Sequence, residues 1–205
     1  MMPRWATCAA IASARCVGII RAGSAAEATS VGKALVAGGL TIIEVAYTTP
    51  GAPSAISALR AECPDAIVGA GTVLDSAAAF TAVSSGAQFL VSPAVLEEVL
   101  RAGHRHGLPV LPGAATPTEI NLAMELGADM VKLFPAGSLG LDFMRSVASA
   151  MPHVPLVPTG GVTAENAPDW IAAGAVAVGV GGSLTRGDPA GVQERAGRLV
   201  ARLGR

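Results

Sequence analysis

The chain has 205 residues, 51% of them apolar and only 3% aromatic, with a formal charge of −1. That length suits one domain, residues 1–205, with a core of its own. So balanced a charge gives no footing for nucleic acid or an anionic membrane, and no apolar run reaches the ~18 residues of a spanning helix. Cys8, Cys16 and Cys63 form neither a CxxC nor a metal spacing, which reads as reduced thiols in a cytoplasm.

The chain opens on MMPRWATCAAIASARC. Its arginine, apolar stretch and A-x-A-like end mimic a leader segment. The pattern fits an amphipathic N-terminal helix better, with Ile11 and Arg15 on different flanks. Eight short β-rich runs follow: CVGIIR (16–21), TIIEVAY (41–47), AIVGAGT (66–72), QFLVS (88–92), PVLPG (109–113), MVKLF (130–134), PLVPT (155–159) and VAVGV (176–180). Their starts are about 20–26 residues apart, one strand-helix unit each.

Helical signals fill the gaps. Ser24 with Glu27 three residues on predicts a capping box, and Gly38-Gly39 ends that helix. Thr116, Pro117 and Glu119 open another, which stops at Gly127. The segment from Thr163 to Gly174 carries Pro168, which implies a bend or a late start. DPAGVQERAGRLVARLG closes the chain as a helix. Repeated strand-helix units predict a parallel sheet with helices packed on it, and eight of them predict an α/β fold of the (β/α)8 TIM barrel type. An open doubly wound sheet is the competitor, but the first strand-helix turn has no GxGxxG.

In such a barrel the site gathers at the C-terminal strand ends, and alternate residues share a face. Parity groups Ile19 with Arg21, Ile42 with Glu44 and Ala46, Val68 with Ala70 and Thr72, and Met130 with Lys132 and Phe134. Taking the face that carries the polar residue brings Arg21, Glu44, Thr72 and Lys132 together. Only two residues of the chain are lysines, Lys33 and Lys132. A lysine at a strand end often just snorkels, but a desolvated amine that has lost its proton can attack a ketone and form a Schiff base. Glu44 reads either as an ion-pair partner or as a general acid/base. Arg21 either caps its strand or grips a carboxylate with its planar fork. Thr72 is either a packed hydroxyl or a ligand contact.

The glycine pairs in PTGGVT (158–163) and GVGGSL (179–184) follow the last two runs. Backbone N–H groups at such turns suit an anion, and in barrels these loops commonly hold phosphate. His104 and His106 stand two apart at the end of a predicted helix, where they do not face each other. We expect no metal there.

EVAYTTP, VGAGTVLD, FLVSP, LPGAATPTE, VKLFPAG, PTGGV and AVGVGGSL occur in one order. As an ordered set they resemble the 2-dehydro-3-deoxy-phosphogluconate / 4-hydroxy-2-oxoglutarate aldolase family, from about residue 17 to residue 187. The resemblance implies a class I aldolase on a (β/α)8 barrel, a homotrimer that needs no metal or cofactor. It implies Lys132 as the Schiff-base lysine and Glu44 as the proton shuttle, with Thr72 near a pyruvate carboxylate. Pro93, Phe134 and Thr159 match substrate-pocket positions, and Gly160, Gly161, Gly182 and Ser183 match the phosphate loops. Many members carry an arginine four residues after the glutamate, where this chain has Thr48. GIIRAGS resembles members with the arginine on the first strand, so Arg21 is expected to supply that charge.

The reaction expected is cleavage of 2-keto-3-deoxy-6-phosphogluconate to pyruvate and glyceraldehyde 3-phosphate. The galactonate epimer and 4-hydroxy-2-oxoglutarate stay open as substrates. A phosphosugar isomerase or a non-catalytic phosphosugar binder would explain the glycine pairs, but would leave Lys132 idle.

Overall fold

The computed structural model describes residues 3–204. Met1 and Met2, at the head of the predicted N-terminal helix, and Arg205, at the end of the expected domain, lie outside the described residues. In chain order the elements are α1 (Arg4–Ala14), β1 (Cys16–Ile20), α2 (Ala25–Ala37), β2 (Ile42–Ala46), α3 (Ala52–Glu62), β3 (Ile67–Gly71), α4 (Ser76–Ser84) and β4 (Leu90–Val91). Then come α5 (Glu97–Arg105), β5 (Val110–Leu111), β6 (Gly113–Ala114), α6 (Pro117–Glu125), β7 (Val131–Leu133), α7 (Ala136–Leu139), α8 (Leu141–Ala150) and β8 (Leu156–Pro158). The chain ends with α9 (Ala167–Ala172), β9 (Val178–Val180), α10 (Gly182–Thr185) and α11 (Pro189–Arg202).

Every strand pairing is parallel, which makes an α/β fold with a curled parallel sheet. One ladder runs β5-β4-β3-β2-β1-β9 and a second runs β6-β7-β8. The fifth predicted run is thus two short strands. Pro112, between them, has no N–H for the ladder, although its carbonyl still accepts from Lys132 N–H at 2.9 Å. Asp129 Oδ2 also draws on this run, accepting from Val110 N–H at 3.0 Å.

Two apolar layers flank the sheet. Val68 and Ala70 join the helices in the outer core, while Val17, Ile42, Ile67, Phe89, Met130 and Val157 fill the inner face. Ile11 of α1 is fully buried in that inner layer. Arg4 Nε donates to Asp129 Oδ1 at 2.5 Å, and Arg4 also donates to the carbonyl of Gly127. Helix α1 is thereby tied across the end of the sheet where the strands begin, leaving the other end open.

Local sequence sets the helix starts. Thr116 and Glu119 form the full capping box of α6. At α2 only half of the expected box forms: Ser24 accepts from Glu27 N–H, but the Glu27 carboxylate accepts from Gly23 N–H at 2.8 Å. Pro168 gives the late start, since α9 begins at Ala167. Among the described residues no helix is long and apolar enough to cross a membrane.

Candidate active site

A cleft of about 490 Å³ opens at the C-terminal ends of the strands. Arg21, Glu44, Thr72, Pro93, Lys132, Phe134, Thr159, Gly160, Gly161, Gly182 and Ser183 all line it. Those are the residues singled out in the sequence, and the fold brings them together. Val162, Thr163, Gly181 and Arg186 line it as well. Gly181 belongs to the second glycine pair, and Val162 and Thr163 to the PTGGVT turn; sequence reasoning passed over Arg186, which stands only four residues after Gly182 in GGSLTR.

Lys132 and Glu44 reach the cleft by strand parity, as expected. Each projects from the inner face, on β7 and β2, and they are 7% and 3% exposed. Burying two charged groups this deeply costs free energy unless they are partnered or used. None of the ion pairs among the described residues includes either of them. The Lys132 Nζ lies 5.2 Å from the centroid of the Phe134 ring, within cation-π range. A smaller apolar space lined by Val91, Leu111 and Val157 also touches Glu44, Lys132 and Thr159. Room for the Glu44 side chain comes from Gly71: a Cβ there would fall 1.8 Å from Glu44 Oε1.

Thr72 arrives by a different route from the one parity predicts. Val68 and Ala70, its supposed partners, face the outer core. Thr72 has φ +58, and this left-handed turn redirects its side chain into the cleft. A β-branched residue in that region is an outlier in backbone conformation, and such outliers cluster at functional sites.

Arg21 sits exposed at the mouth, where its Nε donates to Thr48 Oγ1 at 2.9 Å. Thr48, which follows β2, thus orients the arginine that follows the neighbouring strand β1. The rest of the guanidinium fork stays available to a carboxylate. Thr49 adds a second tie, accepting from Ala22 N–H at 3.1 Å.

The two glycine turns form the far wall. Gly160 and Gly161 have φ of +85 and +78, which glycine alone adopts without strain. The turn is held by Gly137 N–H donating to Gly160 O at 2.7 Å and by Asn166 Nδ2 donating to Gly161 O at 3.0 Å. Among the described residues the N–H groups of Gly161, Gly182 and Ser183 have no protein acceptor. These unpaired N–H groups line the same cleft and suit an anion.

The histidines of the HRH segment part company. His104 Nε2 is buried 3.4 Å from Asp129 Oδ2 without hydrogen-bond geometry. The His106 ring instead meets Phe80, with centroids 6.0 Å apart.

A family model described as KDPG and KHG aldolase matches residues 8–194. The 2-dehydro-3-deoxy-phosphogluconate aldolase of Treponema pallidum is 43% identical over 148 residues, which is 71% of this chain and 70% of that protein. Among solved structures, the 2-keto-3-deoxy-6-phosphogluconate aldolase of Zymomonas mobilis ZM4 with 3-phosphoglycerate has TM-score 0.85 and 33% identity, covering 95% of each chain. The KDPG aldolase of Legionella pneumophila, with pyruvate captured as a covalent carbinolamine, has TM-score 0.82 and 28% identity, again covering 95% of each chain.

Proposed function

Because this chain belongs to the KDPG and KHG aldolase family, we propose that it reversibly cleaves 2-keto-3-deoxy-6-phosphogluconate into pyruvate and glyceraldehyde 3-phosphate through a Schiff base on Lys132. The observation that carries this reading is the Lys132–Glu44 arrangement: a buried amine and a buried carboxylate, outside any ion pair among the described residues, opening on one cleft.

The chemistry follows from their positions. The Lys132 Nζ lone pair attacks the C2 carbonyl carbon, and Glu44 passes a proton to the carbinolamine hydroxyl, which leaves as water and gives a protonated imine. Glu44 takes the proton of the C4 hydroxyl. The C3–C4 bond breaks, its electrons flow into the imine to give an enamine, and the aldehyde departs. Glu44 returns its proton to C3, and water then hydrolyses the protonated imine to release pyruvate and the amine, the remaining proton going back to Glu44. Arg21 and Thr72 hold the substrate carboxylate. Pro93, Phe134 and Thr159 wall the reacting carbons, and Gly160 shapes the turn that presents Gly161. The N–H groups of Gly161, Gly182 and Ser183 hold the phosphate.

We extend the proposal to architecture and assembly. The two ladders join as one closed eight-stranded barrel in a single domain, residues 1–205. Closure is supported by the Thr159–Gly179 bridge, by Val176 N–H donating to Leu156 O at 3.0 Å, and by the continuity of β5 and β6 through Pro112. Assembly as a homotrimer rests on the family resemblance. A cytoplasmic location rests on the three free cysteines.

The test is pyruvate release from the phosphorylated substrate, followed by NADH oxidation with lactate dehydrogenase. Lys132→Ala is expected to lower kcat about 10³-fold or more. Near-normal turnover by that variant would sink the mechanism.

A further inference from the structure

The phosphate end of the cleft holds a cation that the glycine loops do not account for. Arg186 follows α10, is exposed, and lines the cleft beside Gly182 and Ser183. Its guanidinium is close to the loop: a Cβ on Gly182 would lie 3.2 Å from Arg186 Nε and 3.6 Å from both Cζ and Nη2. Among the described residues it has no ion-pair partner and donates no side-chain hydrogen bond to protein. Arg21, the other arginine of the cleft, is already turned toward Thr48.

The backbone that carries Arg186 is fixed by a different arginine. Arg195 of α11 donates from Nε to the carbonyl of Leu184 at 3.1 Å and from Nη2 to the carbonyl of Arg186. Gly187, at φ +90, turns the chain away immediately afterwards. The Arg186 side chain is therefore launched from an anchored point while its charged end stays free. A planar guanidinium next to two unpaired N–H groups matches the several oxygens of a phosphate monoester, and it supplies the positive charge that backbone donors lack.

We propose that Arg186 is a substrate-binding residue that grips the phosphate and sets the preference for phosphorylated over unphosphorylated 2-keto acids. This deepens the aldolase reading and rests on it. The remaining bound groups have their own partners, with the carboxylate at Arg21 and the keto carbon at Lys132. Loss of Arg186 thus acts on KM for phosphate esters before it acts on kcat.

The experiment compares kcat/KM for 2-keto-3-deoxy-6-phosphogluconate and for 4-hydroxy-2-oxoglutarate in wild type, Arg186→Ala and Arg186→Lys. Charge-assisted hydrogen bonds of this kind correspond to about a 10- to 100-fold effect. Arg186→Ala is expected to lower the ratio of the two values by that factor, through KM for the phosphorylated substrate. Arg186→Lys, which keeps the charge and loses the fork, is expected to recover part of it. An unchanged ratio, or an equal fall for both substrates through kcat, overturns the proposal. Calorimetric titration with inorganic phosphate supplies an independent readout, with weaker binding expected for Arg186→Ala. If wild type releases no pyruvate from either substrate, the aldolase reading is what has failed. The phosphate titration then decides for Arg186 alone, and equal affinities in wild type and Arg186→Ala would end the proposal.

Discussion

Gly71→Ala tests whether the geometry of Glu44 matters as the mechanism requires. The added methyl would lie 1.8 Å from Glu44 Oε1, 2.4 Å from Cδ and 2.6 Å from Cγ. Non-bonded heavy atoms sit about 3.5 Å apart or more, so the carboxylate must retreat by well over about 1 Å. A misplacement of that size costs about 10²-fold in rate, and general acid–base catalysis contributes about 10²- to 10⁴-fold altogether. We expect kcat to fall about 10²- to 10³-fold. The stability cost of overpacking is about 1–3 kcal/mol, which leaves a folded protein to assay. Pyruvate release coupled to lactate dehydrogenase gives the rate, and urea unfolding gives the stability. The double variant with Glu44→Gln should be no slower than Glu44→Gln alone, because both changes remove the same function. A kcat within about three-fold of wild type, or losses that multiply in the double variant, would refute the reasoning.

Two further predictions concern the scaffold. The Tyr47 hydroxyl is buried without a hydrogen-bond partner among the described residues, and burial pushes its pKa up to about 12. Tyr47→Phe removes that desolvated group and should stabilise the protein by about 1 kcal/mol in urea unfolding; a loss of stability would contradict the assignment. The His104 pKa is lowered from 6.5 by burial and then by the Arg4 charge, with Asp129 pulling the other way. Below the unfolded value the unfolded chain takes up this proton first. Stability from His104 is therefore fully present above about pH 6.5 and is lost as pH falls from there toward the folded value. His104→Gln should flatten the urea midpoint between about pH 7 and 5, and an unchanged slope would count against this.

Much of the site was legible because strand periodicity and rare residue types coincide. Glu44 and Lys132 interrupt apolar runs on the inner face, and no packing role would select them there. Thr72 was placed in the right cleft for the wrong reason. Alternation holds while the backbone stays extended, and it failed at the first residue after β3, where φ turns positive. Arg186 was illegible for a related reason: it lies in a loop with no period, and only the fold sets its guanidinium beside Gly182. The fifth run broke in two because Pro112 cannot donate, which the sequence did signal, although its carbonyl keeps the register. Helix α2 shows the limit of motif reading, since Glu27 chose the N–H of Gly23 over that of its cap residue.

The most direct test of the central claim is a covalent trap. The protein is mixed with pyruvate, reduced with borohydride and digested, and the modified lysine is found by mass spectrometry. Lys33 and Lys132 are the chain's only lysines. Lys33 is an internal control on helix α2, its Nζ 2.7 Å from Glu62 Oε2. A reduced pyruvate adduct on Lys132 and none on Lys33 is the predicted result. Folded protein carrying no adduct on Lys132 would contradict the Schiff-base mechanism.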